Sequence, residues 1–421
     1  MDLYPKLRSV LAEPLKRRAL HSPLVVKLVR QIISAQKRAF PWEASHRLAL
    51  KAIDQAADAF LRRGPVVWHN VFFPSELLYG LGVVPFAPEA AAAVAVGLGL
   101  VDEAFRAADG RWFGSDGCSF HRLALGCELA GYFPRPDAVV CTSHLCDIAP
   151  QSLALTAARH ERPFHLVDVP RRAGVSEAHY VARQLKGIFF SLAEELGLKP
   201  DMARLEAALR RSNEAREGLL RVSRLRREAP AVIRGEEAHG FLYLMLTSFG
   251  SPWAAGVYDK WYEELRYRRE QGDWAVPREK VRLLWLHLRP YYANDIFKIL
   301  EREGGAVVVF EEMNHVYWEE LDPRHPFFSL ARKVLSHHGL GPLERRIGAL
   351  MQMVEDFRTQ GVVHFAHWGC RQSTAGVALL QQALREQGIA FLNLDGDCVD
   401  RQKYAPGAVR TRLEGFLELL T

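Results

Sequence analysis

The chain has 421 residues, 49% hydrophobic and 25% charged, with 55 Lys and Arg against 49 Asp and Glu, a formal charge of +6. This composition excludes a disordered or fibrous chain, and the length calls for two or three domains that each bury a core without disulfides to rescue it. The charge is spread along the chain apart from an Arg-rich stretch at 204–227 that also carries Glu206, Glu214 and Glu217, so it suits anionic small molecules and does not read as a nucleic-acid groove.

The N-terminal sequence breaks its apolar runs every few residues and carries no signal-peptide pattern, and the longest apolar stretch, Ala90 to Val101, is too short to span a bilayer. A cytoplasmic protein without a membrane segment is expected. Residues 1–63 read as a helical N-terminal extension: VVKLVRQIISAQKRA and SHRLALKAIDQAADAFLRR space their apolar residues for helices, and Gly64-Pro65 closes the region. Residues 64–200 read as a first α/β module with strands at Val66–Trp68, Val83–Phe86, Ala138–Cys141 and Phe164–Asp168. A helix from Ser176 to Leu196 follows, capped by Ser176 and ended by Gly197.

Residues 201–275 form a helical connecting region whose Arg-rich part is expected to be a solvated face with ion pairs. A second α/β module spans 276–421, with strand VRLLWLHL, helix Asn294–Glu303, strand AVVVF, helices between Pro326 and Thr359, strand VVHFA, helix Ser373–Glu386, strand IAFLNL and a last helix Arg410–Leu420. Each strand is short and almost continuously apolar, as a parallel sheet covered on both faces requires. No motif repeats internally.

Six cysteines are too few for a disulfide scaffold in this setting, and no C-x-x-C pair supports a zinc ribbon. Cys146 and Cys370 fall just beyond the carboxyl ends of expected strands, where open α/β sheets bind ligands. Cys118 lies in a turn leading into a helix, where backbone N–H groups favour a thiolate. Cys127, Cys141 and Cys398 sit on a helix, inside a strand and after the last strand. Spacing alone leaves two readings open: three thiolates from two modules converging on a metal, or six buried packing residues.

The segments FFPSELLYGLGVVPFAPE, GCSFHRLALG, CTSHLCD, FHLVDVP, HWGC and GIAFLNLDGDCVDRQKYAPGAVRTRLEGFLELL together resemble the 2-hydroxyacyl-CoA dehydratase family, whose superfamily includes benzoyl-CoA reductase subunits. The likeness runs in order from about residue 66 to the end and leaves the first 63 residues outside. It implies an α/β fold of two Rossmann-like (flavodoxin-like) parallel-sheet modules with helical N-terminal and inter-module segments. It also implies a [4Fe–4S] cluster held by Cys118, Cys146 and Cys370, with one iron left without a protein thiolate.

The implied activity is that of a lyase that eliminates water from a 2-hydroxyacyl-CoA by a ketyl radical route, in the setting of anaerobic metabolism. The implied partners are an ATP-dependent iron–sulfur activator protein and a related second subunit, or a second copy of the chain. Alternatives within the resemblance are a reductase-type relative or a non-catalytic electron-relay subunit. Some relatives hold a double cubane, with a further cysteine after the strand that here ends in AVVVFEEMNHVYW; this chain has none there. The resemblance assigns Glu76 as a catalytic proton acceptor, against its plain reading as first-turn helix chemistry. Asp147 is expected to cap the next helix, His144 and His367 to tune hydrogen bonding, and Arg412 to be structural or functional with equal ease.

Overall fold

Eight short apolar runs become the strands of two parallel sheets in the computed structural model, which describes residues 22–109 and 114–421. The first sheet holds β1 (Val66–His69), β2 (Val84–Phe86), β3 (Ala138–Thr142) and β4 (Phe164–Val167) in the order β2-β1-β3-β4. The second holds β5 (Val281–Leu286), β6 (Ala306–Glu311), β7 (Gly361–His367) and β8 (Ala390–Gly396) in the order β6-β5-β7-β8. Every pairing is parallel, with Trp68 beside Phe86 and Val139, and Trp285 beside Val363. The two Rossmann-like modules therefore repeat one topology without repeating a motif, because strand order follows from βαβ handedness and apolar patterning rather than from residue identity.

Successive strand residues go to opposite faces, and both faces are buried. Val67, Val140 and Val167 pack into one core with the helices Val175–Glu195, Met202–Arg226 and Ala254–Glu270. The opposite face, Val66, Trp68 and Val139, joins Val281, Leu283, Trp285 and Phe365 of the second sheet in a single shared core. The outer face of the second sheet, including Leu284 and Val362, closes against the helix Leu343–Phe357. The modules are thus fused through apolar packing, and their strand carboxyl ends meet at one cleft.

Several local expectations change. The helix expected to start at Ser176 begins at Val175 with Gly174 at its N-cap, so Ser176 lies inside it. The segment expected as helix Asn294–Glu303 is largely a π-helix, Lys298–Glu303. Residues 22–63 form helices Pro23–Ala35 and Glu43–Phe60, the latter capped from a distance by Glu264, whose carboxylate accepts the Glu43 and Ala44 N–H groups at 2.7 and 2.8 Å. Residues 1–21 lie outside the described residues. Among the described residues no helix is long and apolar enough to cross a membrane.

The Arg-rich helix Met202–Arg226 carries ion pairs, Arg221 with Asp259 at 2.5 Å and Arg224 with Glu217 at 2.7 Å. Its last turn goes further: Arg226 is buried and grips both Glu311 oxygens of β6 at 2.8 Å. Burial pushes the Glu311 carboxyl up, and the guanidinium more than reverses that, holding it below its ordinary range. Arg226→Ala leaves a buried carboxylate unpaired and is expected to cost about 3–5 kcal/mol in urea unfolding. A double variant, Arg226→Met with Glu311→Gln, should recover much of that loss, and an Arg226→Ala protein of unchanged stability would show that the pair holds nothing together.

Candidate functional site

Three cysteine-bearing segments converge on the cleft. Cys118 is the N-cap residue of the helix Ser119–Leu129, Cys146 lies just past β3, and Cys370 lies just past β7, the strand equivalent to β3 in the second module. The residue before each of the latter two is left-handed: Leu145 has φ 66° and Gly369 φ 80°. A bulky residue in that region is uncommon and marks backbone held by its surroundings. At Gly369 the reason is visible. A Cβ there would lie 2.8 Å from the Cα and N of Cys118, so the two cysteine loops touch backbone to backbone. Polar bonds tie the same junction: Asp147 pairs with Arg371, Ser119 donates to Asp397 at 2.7 Å, and Arg122 meets Asp400 at 3.4 Å.

Cys118, Cys146 and Cys370 line one cavity of about 140 Å³ whose remaining wall is largely apolar, with Phe72, Leu246 and Met313 among its residues. Each sulfur is surrounded in the same way. Two backbone N–H groups face it, from Phe120 and His121 at Cys118, from Ile148 and Ala149 at Cys146, and from Gln372 and Ser373 at Cys370. One imidazole Nε2 also approaches each: His367 at 3.4 Å from Cys118, His121 at 3.5 Å from Cys146, and His287 at 3.6 Å from Cys370.

Burial drives the thiols the other way. It pushes Cys118 well above its usual range with help from Cys146 and Cys370, lifts Cys146 to about 12, and raises Cys370. Donors arranged for negative sulfur inside a largely apolar wall would be reconciled by a positive group bound to thiolates. Among the described residues no group of three or more His, Cys, Asp or Glu closes on a single metal ion.

Glu89, Asp147, Glu312 and Arg346 share the wall. Glu312 is gripped by Arg346 at 2.7 and 2.8 Å; burial raises its carboxyl, and Arg346 and His338 turn that into a net fall well below the ordinary range. Glu89 is pushed up to about 7 by burial, and its Oε2 has no hydrogen-bond partner among the described residues. Glu76 does not line the cavity. It is fully buried, and its Oε1 accepts bonds from Ser212 at 2.6 Å and Lys333 at 2.5 Å.

The other expected residues divide clearly. Cys127, Cys141 and Cys398 are buried but do not line the cavity, although Cys398 lends its backbone N–H to His367 Nδ1 at 3.1 Å. Asp147 caps nothing and reaches Arg371 instead; His144 packs on Phe72 and bonds no sulfur; Arg412 holds Asp395 at 3.0 Å. His121 and His287 escaped notice in the sequence. His287 stands just past β5, a strand-end position that could have flagged it.

Fold and cavity together define a two-module α/β protein with its site in the cleft between the modules. The chain belongs to the family described as 2-hydroxyglutaryl-CoA dehydratase, D-component, whose model it matches over residues 70–420. It is 23% identical over 379 residues to the (R)-phenyllactyl-CoA dehydratase alpha subunit of Clostridium sporogenes, covering 87% of this chain and 92% of that one. It is 23% identical over 297 residues to (R)-2-hydroxyglutaryl-CoA dehydratase, subunit alpha, of Acidaminococcus fermentans, covering 68% and 61%. To the lactoyl-CoA dehydratase subunit alpha of Anaerotignum propionicum it is 19% identical over 399 residues, covering 88% and 94%. The chain is a component of dehydratase type.

The junction makes a direct prediction. Gly369→Ala forces a left-handed Ala against the Cys118 backbone and should lower stability by about 1–3 kcal/mol in thermal or urea unfolding. Gly415→Ala, in the helix Pro406–Leu420 with nothing within 4 Å of a new Cβ, should be neutral or slightly stabilising. Equal effects at both sites would remove the close approach from the account.

Proposed function

We propose that this chain is the iron–sulfur subunit of a 2-hydroxyacyl-CoA dehydratase, with Cys118, Cys146 and Cys370 as the cluster ligands. The observation that carries this reading is the set of three thiols, buried at Cys118 and partly buried at Cys146 and Cys370, each facing two backbone N–H groups and an imidazole, around one largely apolar cavity. The donor set fits: six N–H groups and three imidazoles are wasted on thiols and well used on thiolates. A [4Fe–4S] cluster bound there would supply one electron to the thioester carbonyl and offer an iron without a protein thiolate. The electron is proposed to come from an ATP-dependent iron–sulfur activator, and the working enzyme to pair this chain with a related subunit or a second copy.

The chain's own residues shape the rest. The wall is largely apolar, and Glu312 grips Arg346, so Arg346, the one guanidinium or ammonium group among the described lining residues, is not free for a substrate carboxylate. Glu89 adds an acid to the same wall. The substrate proposed is therefore a 2-hydroxyacyl-CoA with an uncharged alkyl or aryl side chain. Glu76, neutralised by Lys333, is assigned to holding the helices Ser75–Leu81, Met202–Arg226 and Pro326–Leu335 together, and Glu89 takes its place as the carboxyl positioned to accept a proton in the cavity.

Two measurements test this. After anaerobic reconstitution, Ala at Cys118, Cys146 or Cys370 should abolish iron and sulfide binding, while Ala at Cys127, Cys141 or Cys398 should leave it near that of the unaltered protein; loss of iron from the Cys398 variant would demand another ligand set. With activator and a panel of 2-hydroxyacyl-CoAs, uncharged side chains should be dehydrated at far fewer than one ATP per product, because the electron is returned after each turnover. A fixed ATP-to-product ratio would point to the reductase alternative, and turnover confined to acyl groups ending in a carboxylate would overturn the assignment of the wall.

A further inference from the structure

We infer that His367, His121 and His287 are positioning residues that each donate an N–H to one ligand sulfur and so set the reduction potential of the group those sulfurs hold. The inference rests on the assignment of the three cysteines as ligands and adds a function for residues that assignment does not use. Its ground is a one-to-one match: three thiols, three imidazole Nε2 atoms, at 3.4, 3.5 and 3.6 Å, within the range for contacts to sulfur.

The match is also interlocked. His367 ends β7, the strand that leads to Cys370, yet serves Cys118; His121 lies on the helix that Cys118 caps, yet serves Cys146; His287 comes from the end of β5 to serve Cys370. Each sulfur is thus bonded by a ring from another segment.

The donor role can be assigned from bonds alone at His367. Its Nδ1 accepts the backbone N–H of Cys398 at 3.1 Å, so that nitrogen carries no proton and the ring proton of the neutral imidazole sits on Nε2, facing Cys118 Sγ. Among the described residues the Nδ1 atoms of His121 and His287 have no hydrogen-bond partner, and each ring meets its sulfur through Nε2, which against a thiolate must carry the proton; at His121 that Nε2 also lies 3.8 Å from Glu89 Oε1. Hydrogen bonds to cluster sulfurs draw off negative charge and favour the reduced state, which carries more of it; hydrogen bonding of this kind is one of the protein's means of setting such potentials. Neutral imidazoles do this without adding a net charge to the cavity.

The test compares midpoint potentials, read by spectroscopically monitored redox titration of the full-length chain reconstituted with iron and sulfide. His367→Leu should keep its iron and shift the potential to more negative values, His367→Gln, which retains an N–H donor, should lie near the unaltered protein, and His144→Leu, a ring that bonds no sulfur, should not shift it. His121→Leu and His287→Leu should shift it in the same direction, so the inference remains testable if the His367→Leu protein fails to fold. An unchanged potential in the Leu variants at full iron content, or an equal shift in His144→Leu, overturns the inference while leaving the ligand assignment intact. Absence of iron from the unaltered reconstituted chain overturns the ligand assignment and this inference with it.

Discussion

The approach of Gly369 to Cys118 is the contact on which the site depends. A backbone with no side chain, in a left-handed conformation, rests on the turn that presents the first thiol. Any larger residue separates the loops, and the cavity exists only because they touch. The polar bonds around the junction, from Ser119 to Asp397 and from Asp147 to Arg371, hold the two modules at that contact from either side. The shared core below, where Trp68 of one sheet and Trp285 of the other belong to the same apolar cluster, removes the freedom of one module to hinge against the other. Rigidity suits a site whose three sulfurs come from segments far apart in the chain, because each degree of freedom between modules would cost ligand geometry.

The common strand order of the two sheets explains why cysteines in different modules arrive at equivalent places. In both, the order reverses beside the first strand, and the loop after the neighbouring strand (β3 or β7) opens into the cleft. Cys146 and Cys370 occupy those loops, each preceded by a left-handed residue that turns the chain back toward the cavity. Cys118 breaks the symmetry: it comes from the helix entrance between β2 and β3 and closes the third side. A chain of this design needs only one additional cysteine to turn a pair of equivalent loops into a three-thiolate set.

Much of the architecture was legible because it rests on short-range signals. Continuous apolar runs such as AVVVF are buried on both faces whatever covers them, and Gly197, Gly305 and Gly388 end their elements at positive φ. The starting residue of the helix at Val175 and the π-helix at Lys298–Glu303 were not legible, since ends and backbone register respond to tertiary packing; a Cβ on Gly304 would already meet Leu417 of the last helix at 2.5 Å. The repeat of topology was invisible for the opposite reason: it is carried by no residue in particular. At the site, Cys146 and Cys370 were readable from strand ends, while the fate of Glu76 was not, because Lys333 and Ser212, its partners, are remote in sequence. His121 and His287 serve cysteines on other segments, so nothing local to either ring announces the bond.

Electrostatically the cavity is a compromise. Burial makes a thiolate costly, and it also raises Glu89 on the same wall to about 7. Glu312 escapes because Arg346 is buried with it and grips its carboxylate at 2.7 and 2.8 Å. The sulfurs are compensated by two backbone N–H groups and one imidazole apiece, and at Cys370 by the Coulombic pull of Arg346 as well. Dipoles stabilise negative charge without neutralising it, so the wall would stay receptive to the positive inorganic core proposed for it. A guanidinium in place of the imidazoles would neutralise the sulfurs outright and weaken the demand for that core, whereas an all-apolar wall would leave three thiols with no reason to ionise. The imidazole ring, neutral and able to donate, meets the narrow requirement between those extremes.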